Sequence, residues 1–177
     1  MTKQGINTGA LKRYLKHASR EQLIVEITDL FSKFDVVRDY YQTKLSPEDD
    51  TQVIEKYKAV IKNEFFPARG FGQARLSVAR KAVSDYKKVC RSKASLADLM
   101  LFYVEMGVQF TNTYGDIDEP FYDSMESMYK KAAEFIVENE LEEAFERRCK
   151  GIVTDTKEMG WGFNDALEYI YEQHFER

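Results

Sequence analysis

The sequence predicts an all-α protein, and three observations support this prediction. Apolar residues recur with the 3.6-residue period of an amphipathic helix in nearly every segment, whereas no segment shows the sustained alternation of a strand. Only three prolines and nine glycines interrupt the 177 residues. Helix-start patterns separate the periodic segments. We expect eight or nine helices joined by short loops into antiparallel hairpins, which either stack as an α-α superhelix or pack as an irregular multi-helical bundle.

The first long amphipathic segment begins after a capping box formed by Ser19 and Gln22. Its apolar face continues to residue 45, so this segment is either one long helix or two helices with a kink near Phe34 and Asp35. The residues of that face are Leu23, Ile27, Leu30, Phe34, Val37, Tyr41 and Leu45.

The next helix is expected to have Ser46 as its cap and Pro47 in its first turn, where proline is tolerated. Pro67 ends this helix, because a proline pushes the preceding residue out of the helical region. Its buried face is expected to comprise Val53, Ile54, Tyr57, Val60, Ile61 and Phe65.

The middle of the chain contains the most apolar helix. A helix from about Gly72 to Cys90 precedes it, and Ser95 is its expected cap. Its stretch LMLFYVEMGVQF is apolar almost all round, which is typical of a helix at the centre of a fold. Asp118 is the expected cap of the helix that follows, whose inward residues are Phe121, Met125, Met128 and Ala132.

Two further helices are expected at the carboxyl end, and Gly160 is expected to end the first of them in a left-handed turn. Trp161 lies at this junction, and we expect so large a side chain to anchor the core. The apolar residues of the two helices are Leu141, Phe145, Ile152, Phe163, Leu167, Ile170 and Tyr171.

The composition is that of an ordinary globular protein, with 44% hydrophobic and 32% charged residues. A chain of this length forms one domain and needs no disulfide or metal for stability, so we expect a single helical domain over residues 1–177. No apolar run of signal-peptide or transmembrane length occurs, and the two cysteines fit reduced thiols. We therefore expect a cytoplasmic protein without a membrane segment.

The charge distribution is strongly uneven along the chain. Residues 1–20 carry five basic residues and no acidic one, and residues 68–93 carry eight basic residues against one acid. Residues 116–146 carry eleven acids against two lysines. Such asymmetry steers a charged partner, or attracts one part of the fold or one molecule to another.

The stretch FFPARGFGQAR, residues 65–75, is the best candidate for a binding site. Glycines before a helix start expose backbone N–H groups to an anion, and Arg69 and Arg75 are suited to grip a phosphate or carboxylate. The stretch matches neither a P-loop nor a dinucleotide fingerprint. The alternative, which we favour, is that Gly70 and Gly72 only shape a turn between two helices.

A basic stripe with helical spacing follows, and Arg80 and Lys87 extend the candidate anion site along it. The stripe is typical of proteins that bind a nucleic-acid backbone. We favour a different interpretation, in which Arg80 pairs with Glu105 and Lys87 with Asp98 across an antiparallel hairpin, because a carboxylate on so apolar a helix needs a partner. Lys88 and Arg91 complete the basic patch.

No catalytic or metal-binding constellation is recognisable. Glu105 has no histidine, nucleophile or second acid placed beside it by the sequence. Cys90 and Cys149 belong to no metal-binding spacing, and the acids of residues 116–123 lack the pattern of a calcium loop. We therefore expect neither a cofactor nor a metal.

Four motifs resemble an uncharacterised family of small bacterial all-helical proteins that is classed as a domain of unknown function. They are EFFPARGFGQARLSVARKAVSDYKK, DLMLFYVEMGVQFTNTYGDIDEPFYDSMESMYKKA, RCKGIV and GWGF. The resemblance extends over nearly the whole chain. It implies an intracellular, single-domain helical protein and carries no activity, substrate or catalytic residue with it.

Three functional hypotheses remain open at this point. The favoured one is a non-enzymatic intracellular protein-interaction module whose separated basic and acidic surfaces select a protein partner or a second copy. The alternative is an anion- or nucleic-acid-binding protein that uses the basic segment 68–93. The third is an enzyme without a recognisable site.

Overall fold

The structure is a computed structural model that describes residues 6–46 and 50–176. Within these ranges the chain forms nine α-helices and no strand, which confirms the predicted all-α class. The chain divides into two compact units, residues 1–41 and 42–177. The single domain expected over residues 1–177 stays a prediction.

The first unit contains α1 (Thr8–His17), α2 (Arg20–Lys33) and most of α3 (Asp35–Leu45). The predicted capping box at the start of α2 is confirmed: the Ser19 hydroxyl accepts a hydrogen bond from the Gln22 N–H at 3.2 Å, and the Gln22 side chain accepts one from the Ser19 N–H at 2.8 Å. The backbone leaves the helical region at Phe34. The segment is therefore two helices, as one of the two predicted alternatives states.

The predicted apolar face of α2 is present in the first unit, but it is exposed. Neither α1 nor α2 contains a buried residue. Of the predicted residues of this face, Ile27, Leu30 and Phe34 are exposed and Leu23 is half-buried, although their spacing is that of a core-facing stripe. The periodicity therefore predicted which residues form the apolar stripe of α2, but it did not show that these side chains are exposed.

The second unit is a multi-helical bundle in which α6 is central. The described helices of this unit are α4 (Thr51–Phe65), α5 (Leu76–Val89), α6 (Lys93–Tyr114), α7 (Glu119–Glu138), α8 (Glu142–Asp155) and α9 (Phe163–Phe175). Helix α6 packs against α4, α5, α7 and α8, which confirms the central position predicted from its apolar sequence. Of the two predicted architectures, the bundle is confirmed.

Buried tyrosines tie the helices of this bundle together through their hydroxyl groups. Tyr103 on α6 lies 2.7 Å from the hydroxyl of Ser124 on α7. Tyr129 on α7 donates to the backbone carbonyl of Cys149 on α8 at 3.1 Å. Each buried ring thus adds apolar contact and keeps its polar atom satisfied.

Several predicted helix boundaries are wrong by a few residues. Helix α5 begins at Leu76 rather than near Gly72. Ser92, not Ser95, caps α6, and its hydroxyl accepts from the Ser95 N–H at 3.1 Å. Asp118 caps α7 as predicted, through a 3.0 Å hydrogen bond from the Phe121 N–H. Pro47 lies outside the described residues, and α4 begins after Asp50.

Two predicted core residues are exposed, and one predicted turn residue is displaced. Trp161 is 62% exposed and is therefore not a core anchor. Val60 is also exposed, although it was expected on the buried face of α4. The left-handed backbone falls at Trp161 and Gly162, with φ of 61° and 68°, rather than at Gly160. Helix α8 itself ends earlier, at Asp155.

Candidate functional site

The turn between α4 and α5 is packed against the end of α4 through its backbone. A Cβ added at Gly72 would lie 1.9 Å from the carbonyl oxygen of Phe65, so only glycine fits there. Gly70 has a φ of 76°, in the left-handed region that favours glycine. The Ala74 N–H donates to the carbonyl of Glu64 at 2.8 Å. Both predicted site glycines thus have a structural role in the turn.

Arg75 forms an ion pair with Glu64 of α4. Its guanidinium donates to both carboxylate oxygens of Glu64, at 2.8 Å each. Glu64 is buried on α4, and the hydrogen bonds from Arg75 lower the pKa of Glu64. The ion pair satisfies a carboxylate that would otherwise be buried without a partner. Arg75 therefore has a structural partner at the position where the sequence suggested a ligand.

Arg69 is the remaining cation of the turn. Its side chain is exposed and forms no ion pair with any described residue. The adjacent Phe71 is 83% exposed, and its ring centroid lies 6.2 Å from that of Tyr114. The turn thus presents a cation and an aromatic ring to solvent, and anion binding around Arg69 stays a prediction.

The basic stripe on α5 separates into paired and unpaired cations. Lys81 and Lys88 both bind Asp85 on the same helix, the second at 2.7 Å. Arg80 and Lys87 form no ion pair within the described chain, and both line a groove between α5 and α7. Two of the six predicted site residues therefore converge on a surface that lies away from the turn.

The predicted partners of the α6 carboxylates are wrong. Glu105 is not neutralised by Arg80, and Asp98 is not neutralised by Lys87. Both carboxylates instead bind Arg148 on α8. Both carboxylates are therefore paired, as expected for acids on so apolar a helix, but their partner lies on α8 rather than on α5.

We call Lys58, Asp98, Glu105 and Arg148 the Arg148 cluster. Arg148 donates from Nε and Nη2 to the two oxygens of Glu105, at 2.6 and 2.7 Å, and from Nη1 to Asp98. Lys58 on α4 binds the other oxygen of Asp98 at 2.8 Å. The cluster therefore links α4, α6 and α8 through one planar guanidinium and one ammonium group.

Opposite charges in the Arg148 cluster offset the burial of Asp98 and Arg148. Burial alone would raise the pKa of Asp98, but the hydrogen bonds from Lys58 and Arg148 outweigh burial and lower it. Burial opposes the charge of Arg148, yet Glu105 and Asp98 raise its pKa. The arrangement is that of a structural ion-pair network, with each charge facing an opposite one.

A cavity of about 460 Å³ opens beside this cluster, between α6 and α8. Its polar lining comprises Glu105, Gln109, Asn112, Thr113, Arg148 and Asp155. Both oxygens of Glu105 already accept hydrogen bonds from Arg148, and no histidine or cysteine occurs in the described lining. Asp155 is the second carboxylate of this lining, and only its backbone carbonyl, which accepts from the Asn112 amide at 3.1 Å, is engaged by a side chain of the described residues.

Both cysteines are free thiols that are wholly or partly buried. Burial raises the pKa of Cys149 to about 12 and also raises that of Cys90, so both thiols are poor nucleophiles at neutral pH. Among the described residues, no three His, Cys, Asp or Glu side chains are grouped so as to hold a metal ion. Within the same residues, no helix has the length and apolar character needed to cross a bilayer.

The first unit contributes a surface of a different kind. We call the exposed large apolar residues of α1 and α2 the α1–α2 surface. Val25 is the most exposed of those on α2, at 67%. Large contiguous apolar patches on protein surfaces often belong to interaction sites. Its residues are Leu11, Tyr14, Ile24, Val25, Ile27, Leu30 and Phe31.

Four of the residues predicted to bind an anion lie on the turn and two lie on α5, whereas the role of Arg148 was not predicted. The pattern of α8 alone gives no reason to single out Arg148, because its partners lie 43 and 50 residues away along the chain.

The model of the Family of unknown function (DUF6155) matches residues 6–176. No curated protein and no solved structure matches the chain significantly.

Proposed function

This chain belongs to the family of unknown function DUF6155, and from its own structure we propose that it is a non-enzymatic protein-interaction module that self-associates through the α1–α2 surface. The observation that carries the proposal is the absence of any buried residue in α1 and α2, despite their seven exposed large apolar side chains. Removing such side chains from water is the main driving force of protein association.

A second copy is the partner that the charges of this surface favour. Helix α1 carries three lysine or arginine residues and no acid, whereas α2 carries three acids against two bases. A two-fold interface uses the same patch on both copies, so a patch with a basic half and an acidic half complements itself. Since α1 has a net charge of +3 and α2 of −1, α1 of one copy is attracted to α2 of the other across such an interface.

A non-enzymatic role agrees with the polar clusters of the second unit. The Arg148 cluster and the Glu64–Arg75 pair engage charges that would otherwise be candidates for catalysis. We also propose that the protein acts in the cytoplasm of a bacterium, where its two free cysteines remain reduced.

The test is the oligomeric state of the full chain, measured by sedimentation velocity over a range of protein concentrations. Val25→Glu places a charge on the α1–α2 surface and improves helix propensity, so α2 stays intact. Val60→Glu is the matched control, because Val60 is also an exposed valine on a helix but belongs to α4.

We expect the wild-type chain and Val60→Glu to form dimers, and Val25→Glu to remain monomeric at the same concentrations. A wild-type chain that is monomeric at every concentration would refute self-association. Equal dimerisation of all three proteins would show that another surface forms the dimer.

Binding of an anion or of nucleic acid by segment 68–93 is the second candidate function. The observation that favours it is the exposed Arg69 beside the exposed Phe71, since single strands bind through phosphate contacts and base stacking. Fluorescence anisotropy with labelled RNA and DNA at low and physiological salt tests it. Arg69→Ala should weaken binding, whereas Arg147→Ala, at an exposed position on α8, should not.

A further inference from the structure

The groove between α5 and α7 combines an apolar floor with a charged rim. Helix α6 packs against both α5 and α7, and its Leu96 and Met100 form the floor together with Val83 and Met128. All four side chains are largely buried. The groove has a volume of about 390 Å³, within the range of small-molecule sites.

Three cations line this groove, together with two acids on its α7 wall. Arg80 and Lys87 lie on the α5 wall, and Lys131 lies on the α7 wall. None of the three forms an ion pair with another described residue. By contrast, Lys81 and Lys88 on the same helix are paired with Asp85, and Arg148 is paired on the other side of α6. The groove therefore brings together three cations that have no ion-pair partner among the described residues.

The acidic residues of the rim lie toward one end of the groove. Glu134 and Glu138 follow Lys131 along α7 toward its carboxyl end, together with Phe135. Arg80 lies near the start of α5, close enough to Tyr103 that its charge opposes the burial-driven rise in the pKa of that tyrosine. An anion is therefore favoured toward Arg80, and an apolar tail toward Phe135.

We propose that this groove binds a free fatty carboxylate, with its head held by Arg80 and Lys131 and its hydrocarbon chain on the floor of Leu96, Met100 and Met128. The floor excludes a purely polar anion as the preferred ligand, because burial of apolar ligand surface supplies most of the affinity of such sites. Methionine side chains suit a flexible hydrocarbon chain, since they adapt their shape to the contact. The proposal does not depend on self-association, which involves the other unit.

The test uses octanoate as the probe and the ε-methyl NMR signals of the methionines as the readout. The chain has six methionines, so the spectrum of the full-length protein is simple to assign by substitution. Met100 and Met128 should shift on titration, whereas Met106, which lines two cavities on the α4 and α8 side of α6, should not. Acetate tests whether the carboxylate head binds alone, and 1-octanol tests whether the hydrocarbon chain binds without the charge.

Matched lysine variants test the role of the rim. Lys131→Gln should weaken octanoate binding about five-fold, the effect of one partly solvated charge pair. Lys130→Gln is the control, because Lys130 is an exposed neighbour on α7 that does not line the groove. Both substitutions retain good helix formers at exposed positions, so folding is preserved.

Saturable shifts at Met100 and Met128 that weaken in Lys131→Gln alone would support the proposal. Equal affinity for octanoate and 1-octanol would overturn the role of the cations. Shifts centred on Met106, or no saturation at all, would overturn the location of the site.

Discussion

Replacing Arg148 by methionine should lower the free energy of unfolding by about 2–3 kcal/mol at pH 7. Removing one partner of a buried ion pair costs about 3–5 kcal/mol. Arg148, Asp98 and Glu105 keep 28%, 26% and 30% of their side-chain exposure, so water screens part of this cost. Lys58 also remains bound to Asp98. Methionine retains most of the apolar stem of arginine, which limits the loss of packing.

The effect of this substitution should depend on pH. The pKa of Asp98 is lower in the folded protein than its ordinary value, so the contribution of this carboxylate is present above about pH 4 and is lost as the pH falls through the folded-state pKa. The difference between wild type and Arg148→Met should therefore shrink toward pH 3. Urea unfolding followed by circular dichroism at several pH values measures it.

Arg147→Met is the matched control, since Arg147 is the exposed neighbour of Arg148 on α8. Its effect should stay within about 0.5 kcal/mol. A change of similar size for both variants would refute the assigned role of the Arg148 cluster. A loss for Arg148→Met that does not vary with pH would show that packing, rather than charge, is responsible.

Three further outcomes are expected, each measured by chemical unfolding or thiol labelling. Gly72→Ala should destabilise the protein by about 3 kcal/mol because its Cβ meets the Phe65 backbone, and Gly70→Ala should cost about 1–2 kcal/mol for its left-handed φ alone. Gly151→Ala, in an open helical position, should stabilise the protein by up to about 1 kcal/mol. Equal effects at all three positions would contradict the geometry of the turn. Arg75→Met should destabilise by more than about 1 kcal/mol at pH 7, and less as the pH falls below about 4 and Glu64 is protonated. In native protein at pH 8, a thiol reagent should modify the half-buried Cys90 slowly and Cys149 only on unfolding, whereas rapid modification of Cys149 would contradict its burial.

Local patterns in the sequence were sufficient to predict much of the fold. Ser19 and Asp118 cap their helices as predicted, because a capping hydrogen bond depends only on residues within one turn. The composition of residues 99–110 likewise predicted that α6 is central, since a helix that is apolar all round is stable only when neighbours surround it. These predictions needed no knowledge of which helices meet.

The candidate sites depend on long-range register, which local patterns do not contain. The sequence showed that Asp98 and Glu105 require a partner, yet the choice of Arg148 over Lys87 and Arg80 depends on which helix faces that side of α6. The periodicity of α2 showed which residues form its apolar side, but not whether anything covers them. Lys131 was missed as a groove residue for the same reason.

Trp161 has a consequence for the spectroscopy of this protein. It is the sole tryptophan of the chain, and its indole is mostly in water on the loop before α9. Because the indole is already hydrated in the native state, its emission should change little when the bundle unfolds. Tryptophan fluorescence therefore reports on ligands or quenchers that reach one surface loop. Unfolding of the core must instead be followed by the loss of helical circular dichroism.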